Sequence, residues 1–247
     1  MSTTPADARL GFIAAMSAYG WWGVLPVYLR LVGFADPMEV LAQRILWAIP
    51  AAFATVLVLN GGLRKGLADI LAALTPRRLG ALALSAIFIF FNWGIYVWAV
   101  AQARIADASL AYFLTPLVQT AFGVAFFQER INAAQRIALA FAALGVVVQG
   151  IALGALPLIS LALCFTWSLY GLVRKQVTVS SGAGLLVEST LLAPIAIALL
   201  AWIAHGPGIA FDDNLGNASL LILAGPLTAV PLILFAIKPF KYCTTMI

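Results

Sequence analysis

Charged residues divide this chain into long uncharged runs, and the run lengths are its first structural signal. Between Arg9 and Arg30 lie 20 uncharged residues, LGFIAAMSAYGWWGVLPVYL; Arg44 and Arg64 enclose 19, Arg78 and Arg104 enclose 25, and Asp107 and Glu129 enclose 21. A helix needs about 20 apolar residues to cross a bilayer at about 1.5 Å per residue. The 37 residues between Arg136 and Arg174 would make a helix of about 55 Å, too long for one crossing. The stretch GIALGALP, residues 150–157, divides that run in two. Beyond Lys175 an apolar stretch interrupted only by Glu188 reaches His205, and 24 more residues separate Asp213 from Lys238. The pattern predicts eight crossings, at about 10–32, 38–59, 79–101, 108–127, 134–151, 155–173, 184–204 and 218–237. The first run is longer than the apolar core of a cleaved signal peptide and no small-x-small site follows a short one.

Composition agrees with the pattern and closes off other classes. Of 247 residues, 64% are hydrophobic and 9% charged, against roughly half and a quarter in soluble domains. A globular core of this length has too much surface to bury so many apolar side chains. The solvent is lipid, so a soluble enzyme, a nucleic-acid-binding module and a disordered chain are excluded together. Charge then orients the chain. Eleven of the fourteen Lys and Arg residues (Arg9, Arg64, Lys65, Arg77, Arg78, Arg130, Arg136, Arg174, Lys175, Lys238, Lys241) fall on the N-terminal side, against Arg30 and Arg104 on the other and Arg44 within a helix. That bias places the N-terminus in the cytoplasm. The net charge of +5 is thus a topology signal rather than a sign of an acidic partner. Cys164 and Cys243 fall at different depths, so neither a disulfide nor a metal site is expected.

A repeat organises the crossings. WGVLPVYLR at 22–30 lies over WSLYGLVRK at 167–175 with an offset of 145, and Arg44–Pro50 lies over Glu188–Pro194 with an offset of 144. The repeat unit holds five crossings, and an odd number inserts the second copy from the opposite face, the inverted arrangement of many secondary transporters. Residues 1–151 form the first unit and 155–247 three helices of a partial second. A complete second unit would end near about residue 295, so the arithmetic predicts a chain about two helices short.

Several blocks carry a family resemblance: Glu39-Val-Leu-Ala-Gln-Arg44-Ile-Leu-Trp47, Asn92-Trp93 with Trp98-Ala-Val, Asp107-Ala-Ser-Leu-Ala-Tyr112-Phe-Leu-Thr-Pro116-Leu, Gln128-Glu129-Arg130, Tyr170-Gly-Leu-Val-Arg174-Lys175 and Thr228-Ala-Val-Pro231-Leu. Over about residues 10–236 the chain resembles the RarD-type branch of the EamA family, within the drug/metabolite transporter superfamily. The resemblance implies ten helices as two inverted five-helix repeats, an inner-membrane location, and export or exchange of small metabolites or drugs; the branch is associated with chloramphenicol sensitivity. A homodimer is compatible with it. The chain departs from the family pattern at Gln43, Ala48 and Asp107, where His, Ser and Glu are usual, and again after Ala236. Together with the repeat arithmetic, this leaves two functional expectations: a transporter working by alternating access, or an inactive or assembly-dependent fragment of one.

Charged residues inside a bilayer cost about 2.5–3.5 kcal/mol at mid-depth and ask for a reason. Arg44 is a candidate binding or gating cation, with snorkelling beside Glu39 as its structural alternative. Glu188 is a candidate coupling group, because a carboxylate out of water favours its neutral acid; the alternative is an interfacial carboxylate near Arg174 and Lys175. As repeat equivalents in an inverted pair, Arg44 and Glu188 are expected toward opposite faces, and no bridge between them is predicted. Helical spacing groups Tyr19, Trp22 and Pro26; Asn92 and Tyr96; Tyr112, Pro116 and Gln119; and Trp167 and Tyr170. Aromatic walls with a few amides suit a mostly apolar drug-like or amino-acid-like small molecule. Trp22, Asn92, Trp93, Tyr96, Tyr112, Gln119, Trp167 and Tyr170 are therefore substrate-site candidates. The alternative is that Trp and Tyr form interfacial belts and that amides tie helices together; Trp21, Trp47, Trp98 and Trp202 are assigned to belts. Helix-interior prolines are read mainly as packing kinks, Glu129-Arg130 as a structural anchor, and His205, Asp212 and Asp213 as a solvated loop. The single His lies in that loop and no phosphate-binding glycine loop occurs, so neither catalysis nor a cofactor is expected. The expected partners are a small solute and the lipid bilayer, not nucleic acid.

Overall fold

The computed structural model describes residues 5–128, 131–153, 156–206 and 208–236, and every element among them is helical. In chain order these are α1 (Pro5–Leu31), α2 (Pro37–Leu59), α3 (Leu63–Ala73), α4 (Pro76–Ala101), α5 (Ile105–Phe127), α6 (Ala133–Leu153), α7 (Leu158–Lys175), α8 (Ser181–Ala204), a 3-10 turn (Ala210–Asp212) and α9 (Leu215–Ala236). All but α3 and the 3-10 turn coincide with the eight segments read from the charge gaps. Several begin about three residues earlier, because the polar residues that end an uncharged run also start a helix. Asp36 accepts the Met38 N–H with Pro37 in the first turn of α2, Ser180 accepts the Ala183 N–H at the start of α8, and Pro76 precedes Arg77 and Arg78 in α4.

The protein is an all-α, polytopic membrane bundle. Four described helices, α2, α4, residues 105–126 of α5 and α8, have by themselves the length and apolar character to cross. Val27, Phe91, Phe113, Phe141, Ile151 and Trp202 stand exposed on five helices. A water-soluble surface rarely carries that much apolar area, whereas lipid accepts it.

Helix α3 was not anticipated. Its 11 residues span about 16 Å, too short to cross, and its run is too polar to register as a membrane segment. Leu63, Leu67 and Leu71 form an exposed stripe while Gly66 and Ala73 are buried, the pattern of a helix lying along an interface. Asp69 fixes it, accepting from Ser180 Oγ before α8 and from Asn60 Nδ2 after α2.

The helices cluster into two compact units, residues 1–83 with 178–247, and residues 84–177. In the first, α1 and α9 run antiparallel: Trp21 Nε1 donates to the Leu227 carbonyl at 3.0 Å and Tyr28 Oη to the Leu220 carbonyl at 2.9 Å. Helix α8 also runs antiparallel to α2, since Gly182 at its start lies against Thr55 and Val56 near the end of α2. In the second unit α5 and α7 run parallel, tied at their starts by Ser160 Oγ donating to the Asp107 carbonyl at 2.6 Å. These senses match a chain that alternates through the bilayer with α3 left out of the count. Were α3 a crossing, α2 and α8 would run parallel.

Candidate functional site

Along the parallel seam of α5 and α7 the packing leaves two openings, one above the other. The first lies beside the early turns of both helices and is lined by Asn92, Tyr96, Ala108, Ala111, Tyr112, Thr115, Leu163 and Trp167. Alanines 108 and 111 supply the space by withdrawing side chains from a wall otherwise aromatic. Tyr96 and Tyr112 meet edge to face with centroids 6.2 Å apart, and Trp167 leans on Tyr170 at 5.6 Å. Such pairs hold ring orientations as well as area. Asn92 is placed by α7: its Nδ2 donates to the Leu163 carbonyl and to Thr166 Oγ1, both at 3.0 Å. With both donors used, the amide has only its carbonyl oxygen left to offer a further partner. Thr115 turns its hydroxyl inward to the Ala111 carbonyl at 2.8 Å. The pocket is about 20 Å³, room for a single water.

A turn further on, Gln119, Phe122, Gly123, Ser168, Gly171, Leu172 and Lys175 surround a larger cavity of about 210 Å³. Glycines on both helices make the room. Even a Cβ on Gly171 would touch Gln119 Nε2 at 3.5 Å.

The first unit holds a different constellation. Glu39 is 1% exposed and accepts the Ala210 N–H on Oε2 at 3.0 Å and the Phe211 N–H on Oε1 at 2.9 Å. The carboxylate thus fastens the α8–α9 connection to the start of α2. Trp47 stacks on Phe211 at 6.4 Å and donates Nε1 to Gln43 Oε1 at 3.0 Å. Arg44 is 7% exposed, and its Nε donates to Thr228 Oγ1 at 3.0 Å, whose own hydroxyl donates to the Ala224 carbonyl. Arg44 is thus an interior cation rather than a snorkelling one. Glu188 is equally interior, at 1% exposed on α8. The Gly182–Val56 contact sets Glu188 level with Pro50 and Arg44 level with Pro194, a difference in depth of about 9 Å.

Of the residues singled out from sequence, Asn92, Tyr96, Tyr112 and Trp167 therefore meet in one pocket, and Gln119 lines the next. Tyr170 supports Trp167. Trp93 is buried on α4 but does not line the pocket. Trp22, half-buried on α1, shares the first unit with Arg44 and Glu188. Trp98 and Trp202 are exposed near the ends of α4 and α8, and His205, Asp212 and Asp213 are exposed in their loop. Trp21 and Trp47 instead make the interior hydrogen bonds already described. Glu129, Arg130, Cys243 and the side chain of Tyr19 lie outside the described residues. Sequence reasoning missed Thr115, Ser168, Lys175 as a wall residue, and Glu39 as a loop anchor. Thr115 was within reach, three positions after Tyr112 on one helical face; nothing local distinguishes Ser168.

Comparison with known proteins decides the family. The sequence model of the EamA-like transporter family matches residues 9–150. The chain is 37% identical over 246 residues to an uncharacterized transporter of Pseudomonas aeruginosa, covering 97% of this chain and 80% of that one. It is 36% identical over 230 residues to protein RarD of Escherichia coli, 93% and 76% of the two chains, and 33% identical over 236 residues to an uncharacterized transporter of Vibrio cholerae, 95% and 77%. The chain belongs to the EamA-like transporter family, in its RarD-type branch. No solved structure matches it significantly. Two of these relatives are named as transporters, which points away from an enzyme, and a membrane transporter of the drug/metabolite type is the class the chain falls in.

Proposed function

We propose that this EamA-family protein exports small, largely apolar metabolites or drug-like molecules across the cell inner membrane by alternating access, with its N-terminus in the cytoplasm. The observation that carries the reading is the convergence of Asn92, Tyr96, Tyr112 and Trp167, from three helices, on one pocket. Aromatic faces bind a flat apolar body and the Asn92 carbonyl accepts one hydrogen bond from it. A pocket that holds one water is an occluded state in this reading, and opening the α5–α7 seam toward the Lys175 end admits the solute. The expected repeats, 1–151 and 155–247, would supply the two halves that rock, and the antiparallel packing of the repeat equivalents α2 and α8 supports that view. Arg44 and Glu188, buried on those two helices, are assigned to gating and coupling respectively.

Proteoliposomes carrying the full chain test this directly, with labelled chloramphenicol and phenylalanine as probes. Saturable flux of at least one is expected, falling about tenfold or more in Ala111→Leu, whose added atoms fill the pocket at a packing cost of about 1–3 kcal/mol. Arg44→Ala is expected to abolish flux while leaving insertion intact. Comparing Glu188→Gln and Glu188→Asp under an imposed pH gradient separates coupling from packing. Equal flux in Ala111→Leu and wild type removes the pocket from the path, and equal gradient dependence in all Glu188 forms removes the coupling role.

A further inference from the structure

We propose that α3, with the first turn of α4, is a docking surface for anionic phospholipid: its leucines enter the bilayer surface and the cations around them hold the headgroups. This rests on the membrane fold and not on the transport reading. Helix α3 is seated on the end of α2, where Gly66 is buried and an added Cβ would meet Leu57 Cδ2 at 2.9 Å. The next face around the helix carries Leu63, Leu67, Leu71 and Leu74, each between 42% and 65% exposed. At about 100° per residue these four fall within about 80° of one another, a continuous apolar stripe that the described residues leave uncovered.

Between residues 64 and 78 the chain places four cations, Arg64, Lys65, Arg77 and Arg78, and one acid, Asp69. Asp69 is taken by Ser180 Oγ and Asn60 Nδ2. Arg78 is taken by the Ala72 carbonyl at 2.6 Å and Thr178 Oγ1 at 3.2 Å. Arg64, Lys65 and Arg77 are exposed, and their side chains make no hydrogen bond or ion pair among the described residues. Uncompensated positive charge therefore stands at both ends of the stripe, where α3 and α4 begin. Arg64 lies about 20° beyond Leu71 around the helix, level with headgroups, while Lys65 turns toward water. Two cations in a first turn oppose the positive end of the helix dipole, so they weaken α3 taken alone. A negative lipid surface beside them reverses that sign, and each cation so placed is worth about fivefold in affinity. Charge alone would suit any anion; the leucine stripe commits the surface to a lipid, whose headgroup and acyl chains it meets together.

Native mass spectrometry of the full chain, released from mixed micelles holding equal phosphatidylglycerol and phosphatidylcholine, tests this. Retained phosphatidylglycerol should exceed phosphatidylcholine about tenfold, a ratio that salt in the micelle solution should erode. Arg64→Gln/Lys65→Gln/Arg77→Gln should bring the two lipids within about twofold of each other. Arg64→Gln alone should lower the ratio more than Lys65→Gln, and Arg64→Lys should keep it. Leu67→Ser/Leu71→Ser, which lifts α3 from the lipid with its cations intact, should at least halve it. Arg30→Gln/Arg104→Gln removes two exposed cations assigned to the opposite side and should leave the ratio within about twofold of the wild-type value. Unchanged melting temperatures in phosphatidylcholine nanodiscs show that the variants fold. Equal retention of the two lipids by the wild-type chain, a triple variant that keeps the preference, or a control pair that loses it as fully would overturn the surface. Displacement of the bound lipid by millimolar inorganic phosphate would mark a free-anion site and overturn the lipid as occupant. Flux in vesicles is scored apart: a preference without flux sinks transport and leaves the surface standing, and flux without the preference does the reverse.

Discussion

In the first unit α2 is pressed so closely against α9 that a single added Cβ at Gly225 would collide with the Trp47 carbonyl oxygen. In the second unit α5 and α7 run side by side and leave two openings between them. Small residues serve both seams, to opposite ends. Gly182 and Gly225 let backbones approach, the close packing that holds helices together where lipid offers no hydrophobic drive between them. Ala108, Ala111, Gly123 and Gly171 instead remove side-chain volume beside aromatic and polar walls, which makes space rather than contact. A small residue in a membrane helix is therefore not diagnostic by itself; what faces it decides whether it is a joint or a cavity floor. Buried charge divides in the same way. Glu39 spends its two oxygens on backbone amides and Arg44 donates to Thr228, both within the tight unit, while the openings of the other unit are lined mainly by rings, amide and hydroxyl.

The contrast can be broken by substitution, beginning where the largest effect is expected. Gly225→Ala forces α2 and α9 apart at a backbone contact and should cost about 3 kcal/mol or more, read as a fall in melting temperature in detergent; a neutral result would mean that the crossing is not close-packed. Glu39→Ala strands two buried amides and should cost about 2–3 kcal/mol, with protease cutting of the loop around Ala210 and Phe211 as a second readout. Asn92→Ala removes two hydrogen bonds but relieves volume beside an existing opening, so a cost of about 1–2 kcal/mol is expected, together with altered flux. An Asn92→Ala protein as damaged as Gly225→Ala would erase the distinction between the units. Arg104→Gln, which breaks an exposed pair with Asp107 at 2.7 Å, should shift stability by no more than about 0.5 kcal/mol and serves as the baseline.

Much of this was legible in the chain. Charge gaps located the eight long helices because lipid penalises charge more strictly than water penalises exposed Leu. The groups Asn92/Tyr96 and Tyr112/Gln119 emerged from helical spacing, since residues three, four or seven apart share a face. Helix α3 escaped because Arg64, Lys65 and Asp69 break its apolar pattern, and an interfacial helix has no length threshold to announce it. Ser168 and Lys175 escaped for another reason: a cavity is a property of two helices in register, and neither helix alone carries the 52-residue offset that sets Gly123 beside Lys175. Arg44 was picked out as a charge at depth and Glu39 only as its interfacial neighbour, because the loop that Glu39 caps is separated from it by about 170 residues and has no signature in the α2 block.

The central claim of the proposal is that solute enters along the α5–α7 seam and not between α2, α8 and α9. Cysteine accessibility in vesicles measures this most directly. In a background with Cys164 and Cys243 replaced by alanine, single cysteines are placed at Gln119, Thr115 and the buried Ala48 of α2, and reacted with a small anionic methanethiosulfonate. The account predicts fast labelling of Gln119→Cys, slower labelling of Thr115→Cys that changes when a transported probe is added, and no labelling of Ala48→Cys. Labelling of Ala48→Cys as fast as Gln119→Cys, or an unreactive Gln119→Cys in protein that still carries flux, would contradict it.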